Sequence, residues 1–505
     1  MRPLVLLIAS LCSLTAEPLR FRITLDPKIA PKGASGRLFV FLDKGDTPRD
    51  TIKVGFLPEG VWMAAKEVTG WKAGATVDLD PDELAFPAGF STASKDSYVV
   101  MALLDTDHTF ARERQDPGDL VSGVKVLKDW VPAAGGVVPL TLSAVTPEEK
   151  PPADTANIQY VSFRSSLLSA FWGRPIVMNA GVVLPKGAGM ADSPLPAVYH
   201  VHGFGGSYRE AWAKGEGLVE AIATGEKMRA VHVYLDGNCP GGHHVFADSV
   251  NNGPWGQALT TELIPYLERE FHLVATPQAR FVTGHSSGGW STLWLQVRYP
   301  EYFGGAWPTA PDSVDFRSFT GIDATPQAVR NAYRSSSGQP LNLVRMDGKD
   351  VMSMEEFARM ELVTGEYGGQ LASFEWVFSP RGPDGRPLPL FDRSNGELYA
   401  NGAREYWQQY DIAQRVRENW GELGPKLLGK IRLVIGDSDN FHLNESALLF
   451  CGWLKEKGRE DACEIIPDRD HFTLHRPYKT YPNGLLQRID DEMRAQWEKS
   501  QRAPR

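Results

Sequence analysis

The sequence predicts an α/β domain on a largely parallel sheet, interrupted by an inserted segment and preceded by an all-β sandwich. Three observations carry this. From residue 158 onward, apolar strands alternate with helical patterns, the grammar of a parallel sheet covered on both faces. From 17 to 145 there are only short apolar alternations broken by Gly, Pro and Asp, as in a sandwich. Between them lies TPEEKPPADTAN, residues 146–157, rich in Pro and charge and without periodicity, hence a linker.

The first sixteen residues, MRPLVLLIASLCSLTA, place one Arg before an apolar run too short to cross a bilayer comfortably, the pattern of a secretory signal peptide. Leu14 makes the cleavage site imperfect, and an apolar N-terminal strand is the alternative. Lipidation at Cys12 is a weaker reading. The expected compartment is therefore secreted or periplasmic.

The sandwich, of immunoglobulin-like pattern, is expected from the stretches LRFRITL, GRLFVFL, DTIKVGF, ATVDLD, SYVVMALLD and VVPLTLS. The α/β domain, 158–500, is expected from the strands in PIVMNAGVVLP, LPAVYHVHG, RAVHVYLDG, RFVTGHSSGG, GGAWPTA, KIRLVIGDSD and ACEIIPD. From about 308 to 426 the alternation stops. That stretch reads as an insertion, with Trp376, Phe378, Tyr406 and Trp407 forming either a lid or pocket wall, or a small core of their own.

The 505 residues carry a formal net charge of −9. An acidic balance argues against a nucleic-acid or anionic-membrane surface, and no later segment reads as membrane-spanning. Beyond Cys12, three cysteines remain, Cys239, Cys451 and Cys463. The last two either pair, in an oxidising compartment, or stay as buried thiols. His243 and His244 are adjacent, so in an extended segment they point opposite ways and make a poor metal pair. No metal and no cofactor is implied.

The stretch TGHSSGGWS, Thr283 to Ser291, carries the chemistry. A G-x-S-x-G between a strand and a helix forces the serine into a strained corner, and glycine two residues away on each side removes the clash. Ser286 is the candidate nucleophile. A serine hydroxyl needs a base, and the base an orienting acid; on such a sheet they follow in chain order Ser, Asp/Glu, His. Past the end of KIRLVIG stand Asp437 and Asp439, of which Asp439, deeper in the loop, is favoured. In the loop after the last strand, His471 is favoured over His475, and His442 lies too close to the acid loop. The oxyanion donors expected are the N–H groups of Ser287, opening the helix, and Phe204, in the glycine-rich turn after PAVYHV. Trp255 is a candidate pocket wall or simple packing, and His285 a candidate substrate contact.

HGFGG, GHSSGG, GDSDNF and RDHF, in that order, resemble the branch of the α/β-hydrolases that includes esterase D (S-formylglutathione hydrolase), secreted feruloyl esterases and enterochelin-esterase-like proteins. The resemblance covers about Tyr160 to Trp497, apart from the insertion. It implies an α/β-hydrolase fold, a serine esterase working through an acyl-enzyme, a small-molecule or glycan-linked ester as substrate, and Asp439 as the acid. A sandwich before the esterase domain is similar to the enterochelin-esterase arrangement. An acyltransferase with the same triad, or a binding protein with a degenerate hydrolase domain, are the rival readings.

Overall fold

A computed structural model describes residues 17–57, 60–109, 116–188, 194–327, 331–365 and 369–502. The expected signal peptide, 1–16, lies outside the described residues. The chain divides into two compact units, one of residues 1–108 and 113–148, the other of 109–112 and 149–505.

In the first unit nine strands lie on one hydrogen-bonded sheet. Strand Arg20–Leu25 and strand Trp62–Trp71 have four strands between them, which on a flat sheet would separate them by about 24 Å. Yet the Phe90 ring touches both Phe21 (5.8 Å between centroids) and Trp62 (6.1 Å). The sheet therefore doubles back over a core that includes Phe21, Leu38, Val100 and Leu140, and the sandwich is its two layers. DTIKVGF differs from expectation. It forms no strand, although Ile52 and Val54 are buried. The neighbouring central strand, Ala34–Lys44, already has both edges occupied, by Trp62–Trp71 and Asp96–Asp105. Four strands lie outside the expected stretches: Trp62–Trp71, Ala85–Phe86, Leu120–Ser122 and Lys125–Trp130.

The second unit is built on one eight-stranded sheet. Numbering its strands alone, these are β1 (Ile158–Ser165), β2 (Ile176–Val183), β3 (Ala197–Val201), β4 (Val231–Leu235), β5 (Arg280–His285), β6 (Gly305–Thr309), β7 (Leu433–Gly436) and β8 (Cys463–Ile466). Their order is β1-β2-β4-β3-β5-β6-β7-β8. From β4 to β8 every pairing is parallel, while β2 runs antiparallel to both neighbours. This is the α/β-hydrolase fold. The seven expected strands are present, and the sequence reading missed β1. The inner strands β4 and β6 are buried at every residue, because helices cover both faces, while β5 is buried over its first half and half-buried where it reaches Ser286. The parallel strands β3, β5, β7 and β8 all end in loops on one rim, where ligand sites of such sheets form.

The chain between β6 and β7 holds a hairpin of Asn342–Met346 with Lys349–Ser353 and the helices Met354–Thr364, Gln370–Phe378, Ala403–Trp407, Ile412–Glu418 and Trp420–Leu427. Phe378 and Trp407 pack with Phe316 and Phe319 into an aromatic core. Helix Gln370–Phe378 docks on the loop after β4, where the Ser373 hydroxyl accepts from the His243 N–H (2.9 Å) and donates to its carbonyl (3.2 Å).

Candidate active site

Ser286 sits between β5 and helix Ser287–Arg298 with φ 60° and ψ −125°. A non-glycine residue in this region carries about 1–3 kcal/mol of strain, and it persists only where its surroundings hold it. Here the Ser286 N–H donates to the Thr309 carbonyl (3.1 Å), and its carbonyl accepts from Trp290 (3.0 Å) and Asp312 (3.2 Å). The flanking glycines are obligatory. A Cβ on Gly284 would lie 2.4 Å from the Gly288 carbonyl oxygen, and one on Gly288 would lie 2.0 Å from that of Val201. The corner is that tight because strand, helix and the end of β3 converge on it.

Ser287 is the first residue of the helix, so its N–H has no intrahelical acceptor. A Cβ on Gly203 would stand 3.3 Å from both the His285 oxygen and Ser286 Cβ. The glycine-rich turn carrying Phe204 therefore lies against Ser286. That turn is braced from beneath. His202 donates through Nδ1 to the Gly203 carbonyl (2.7 Å), and its Nε2 accepts from the Gly237 N–H (2.8 Å).

The loops after β7 and β8 bring an acid to a base. His471 Nδ1 lies 2.8 Å from Asp439 Oδ2, and both side chains are buried. The other Asp439 oxygen accepts from the N–H groups of Phe441 (2.9 Å) and Leu443 (3.3 Å). With three donors and no exposure, Asp439 is fixed in one orientation, and its contact with His471 is made through Nδ1. Asp437 is exposed and accepts from the Ser438 hydroxyl and the Asp468 N–H, the work of a turn residue. The rings of Phe441 and Phe472 pack on His471 (4.9 and 5.5 Å), and Phe472 is 59% exposed.

His285 packs under the base, 4.4 Å from the His471 ring and 4.8 Å from His475. Its Nδ1 meets Thr309 Oγ1 at 3.1 Å, and His475 Nε2 meets the same hydroxyl at 3.2 Å. Burial, reinforced by the neighbouring imidazoles, holds His285 well below the usual histidine range, and burial takes His475 down to about 4. Both are neutral near pH 7, so the base is not surrounded by like charge. Trp255 is placed in the packed interior. It is 5% exposed, stacked on His244 (3.8 Å, 9°), and its indole N–H is spent on the Asn252 carbonyl. His243 and His244 are buried in the same loop, and burial keeps both well below the usual range. Among the described residues no cluster of His, Cys, Asp and Glu suited to a metal ion is found, and no helix is long and apolar enough to cross a membrane.

Sequence reasoning missed Asp312. It lies three residues past β6, 4% exposed, with Oδ1 at 3.5 Å from Ser286 Oγ and Oδ2 at 2.5 Å from Ser287 Oγ. Gln370, opening an inserted helix, donates to Ser287 Oγ (3.3 Å) and to Asp312 Oδ2 (3.5 Å). Burial pushes the Asp312 carboxyl up to about 6, against the lowering effect of the Ser287 hydroxyl and of His471. No sequence pattern marks PTAPDSVD as a site.

Fold and site together define a hydrolase acting on esters. The family model described as "Esterase: Putative esterase" matches residues 175–442, more than half of the chain, and the chain belongs to that family. Solved structures of similar fold include a ferulic acid esterase (14% identity, 67% of this chain and 98% of that one, TM-score 0.41). Another is an S-formylglutathione hydrolase from Agrobacterium tumefaciens (16%, 68% and 97%, TM-score 0.38). A third is the fluorophosphonate-binding serine hydrolase FphF of Staphylococcus aureus (15%, 66% and 97%, TM-score 0.38). No curated protein matches the chain.

Proposed function

We propose that the chain is a serine carboxylic-ester hydrolase working through an acyl-enzyme. Ser286 Oγ attacks the ester carbonyl. His471 Nε2 takes the hydroxyl proton and passes it to the departing alcohol, and Asp439 holds the imidazole in the required tautomer and stabilises its charged form. The N–H groups of Ser287 and Phe204 hold the tetrahedral oxyanion, each such donor contributing about 3–4 kcal/mol to transition-state stabilisation. Water, activated by His471 in turn, then releases the acid. The observation that carries the reading is the buried 2.8 Å Asp439–His471 contact on the same rim as a serine held at positive φ. Export to an oxidising compartment is supported by the Cys451–Cys463 disulfide and by the apolar N-terminal run.

The test is hydrolysis of a p-nitrophenyl ester series from acetyl to octanoyl, wild type beside Ser286→Ala. Turnover is expected in the wild type and absent from the alanine protein. Equal turnover in both, with Ser286→Ala folded, would refute the proposal.

A further inference from the structure

The inserted segment meets the acid turn of the proposed triad at Arg345. Arg345, on the hairpin strand Asn342–Met346, donates from Nε to the Asp439 carbonyl (2.8 Å) and from Nη2 to the Asn444 side-chain oxygen (3.3 Å) and the Asp437 carbonyl (3.5 Å). Its backbone is joined to Asn440 in both directions: the Arg345 N–H donates to the Asn440 carbonyl (2.9 Å), and Asn440 Nδ2 donates to the Arg345 carbonyl (2.7 Å). The remaining side-chain atom of Asn440, Oδ1, accepts the backbone N–H of His471 (2.9 Å). Asn440 is 2% exposed. Acid loop, base loop and hairpin thus meet in one closed network, in which Arg345 and Asn440 hold the backbone on both sides of the Asp439–His471 contact.

The chemistry of the contact is unusual for an arginine. Among the described residues Arg345 makes no ion pair, and its guanidinium is spent on two backbone carbonyls and an amide oxygen of the acid turn. The planar fork fits this, because its donors diverge at fixed angles and can hold several acceptors in a fixed relation. Lysine, with one rotating ammonium, cannot. The Asp437 carbonyl is held a second time, by Asn444 Nδ2 (2.9 Å), and the Asp439 carbonyl a second time, at longer range, by the His442 N–H (3.3 Å), so what Arg345 contributes is the shorter, charge-assisted hold on Asp439.

We propose that Arg345 is a positioning residue of the triad, setting the orientation in which Asp439 meets His471, so that the insertion is part of the catalytic apparatus. This rests on the triad reading above. Loss of Arg345 would leave substrate contacts alone and loosen the acid–base pair. A misplacement of about 1 Å in such a constellation costs on the order of 100-fold in rate. Because a carboxylate held against the imidazole favours its charged form, loosening it would also move the acid limb of the pH–rate profile downward.

The experiment measures kcat, KM and the pH profile of kcat/KM on a p-nitrophenyl ester. It compares wild type, Arg345→Ala, Arg345→Lys, Asp439→Asn, Ser286→Ala and the control Arg359→Ala, whose arginine is exposed on the same insertion and, among the described residues, forms an ion pair with Glu355 alone, at 3.9 Å. For Arg345→Ala, kcat is expected to fall roughly 10- to 100-fold with KM little changed. The acid limb should shift down, and added guanidinium ion at low concentration should restore part of kcat. Arg345→Lys should show the same changes in smaller measure, and it carries the test if the alanine protein does not fold. Arg359→Ala should match wild type. A folded Arg345→Ala or Arg345→Lys protein with wild-type kcat and acid limb would overturn the proposal. So would a loss of kcat with no shift and no guanidinium rescue, which is the mark of a merely structural residue. Full activity in Ser286→Ala and Asp439→Asn would instead overturn the triad reading, and the two failures are told apart by these variants.

Discussion

The loop after β6 and the loop after β7 each place a buried carboxylate beside the proposed catalytic pair, and they are built to opposite ends. Asp439 accepts two backbone N–H groups and the imidazole Nδ1, and its turn is further held by Arg345. Those donors fix its carboxylate in one orientation. Among the described residues the Asp312 carboxylate receives two hydroxyls and an amide, and burial lifts it to about 6. Two acids in one site thus acquire different properties from their surroundings alone. One carboxylate is held in a fixed orientation, and burial makes the other costly to ionise.

The largest test of this difference is Asp439→Asn. The amide leaves the shape intact but presents the wrong partner to His471, and kcat is expected to fall by about 10³- to 10⁴-fold, measured by steady-state ester hydrolysis. A fall of tenfold or less would move the orienting role to Asp312.

Next is the covalent tie that only one loop has. Cys451 and Cys463, separated by 12 residues, join helix Leu443–Glu456, which follows the acid, to the start of β8, which leads to the base. Chain-entropy arguments put such a bridge at about 3 kcal/mol. Cys451→Ser is expected to lower the free energy of chemical unfolding by an amount of that order while leaving KM unchanged. An unchanged midpoint would show that the bridge does not hold these loops.

Asp312→Asn should act with the opposite sign. Between the unfolded value of 3.8 and about 6 the native protein keeps a proton that the unfolded chain releases. Stability therefore falls as pH rises through that window, and above it the ionised group carries the whole penalty. Removing the carboxylate should stabilise the protein by on the order of 2 kcal/mol at pH 8 and hardly at all at pH 4, as read by denaturant titration at both values. Destabilisation at pH 8 would mean that the carboxylate is well compensated. The smallest effect is expected from Gln370→Ala. It removes two long hydrogen-bonding contacts, one to Ser287 and one to Asp312, each worth about 0.5–1.5 kcal/mol at most, and should change kcat by no more than about tenfold.

The same contrast explains what the sequence could disclose. The nucleophile corner was legible because its steric demand leaves a local trace: Gly284 and Gly288 are required by backbone atoms 2.4 and 2.0 Å from where a Cβ would sit. Asp439 and His471 were legible because each follows a strand whose apolar run ends visibly, and loops after parallel strands share a rim. Asp312 was hidden, since nothing in PTAPDSVD distinguishes an acid that turns back to the nucleophile from one that caps a turn. Arg345 was hidden by distance. It meets Asp439 from 94 residues earlier, across an insertion with no period to follow. Trp255 stayed open between pocket wall and packing for a related reason: an aromatic at a helix start looks alike whether it faces a pocket or, as here, stacks on a buried histidine. In the sandwich, alternation in DTIKVGF recorded burial of Ile52 and Val54 without a place in the ladder.

The central claim is that Ser286 is the activated nucleophile. It is tested most directly by treating the folded protein with a fluorophosphonate and locating the adduct by peptide mass spectrometry. The account predicts one adduct per chain, on Ser286, lost in Ser286→Ala and strongly slowed in Asp439→Asn. A folded wild-type protein that remains unlabelled, or that is labelled at another residue, would contradict it.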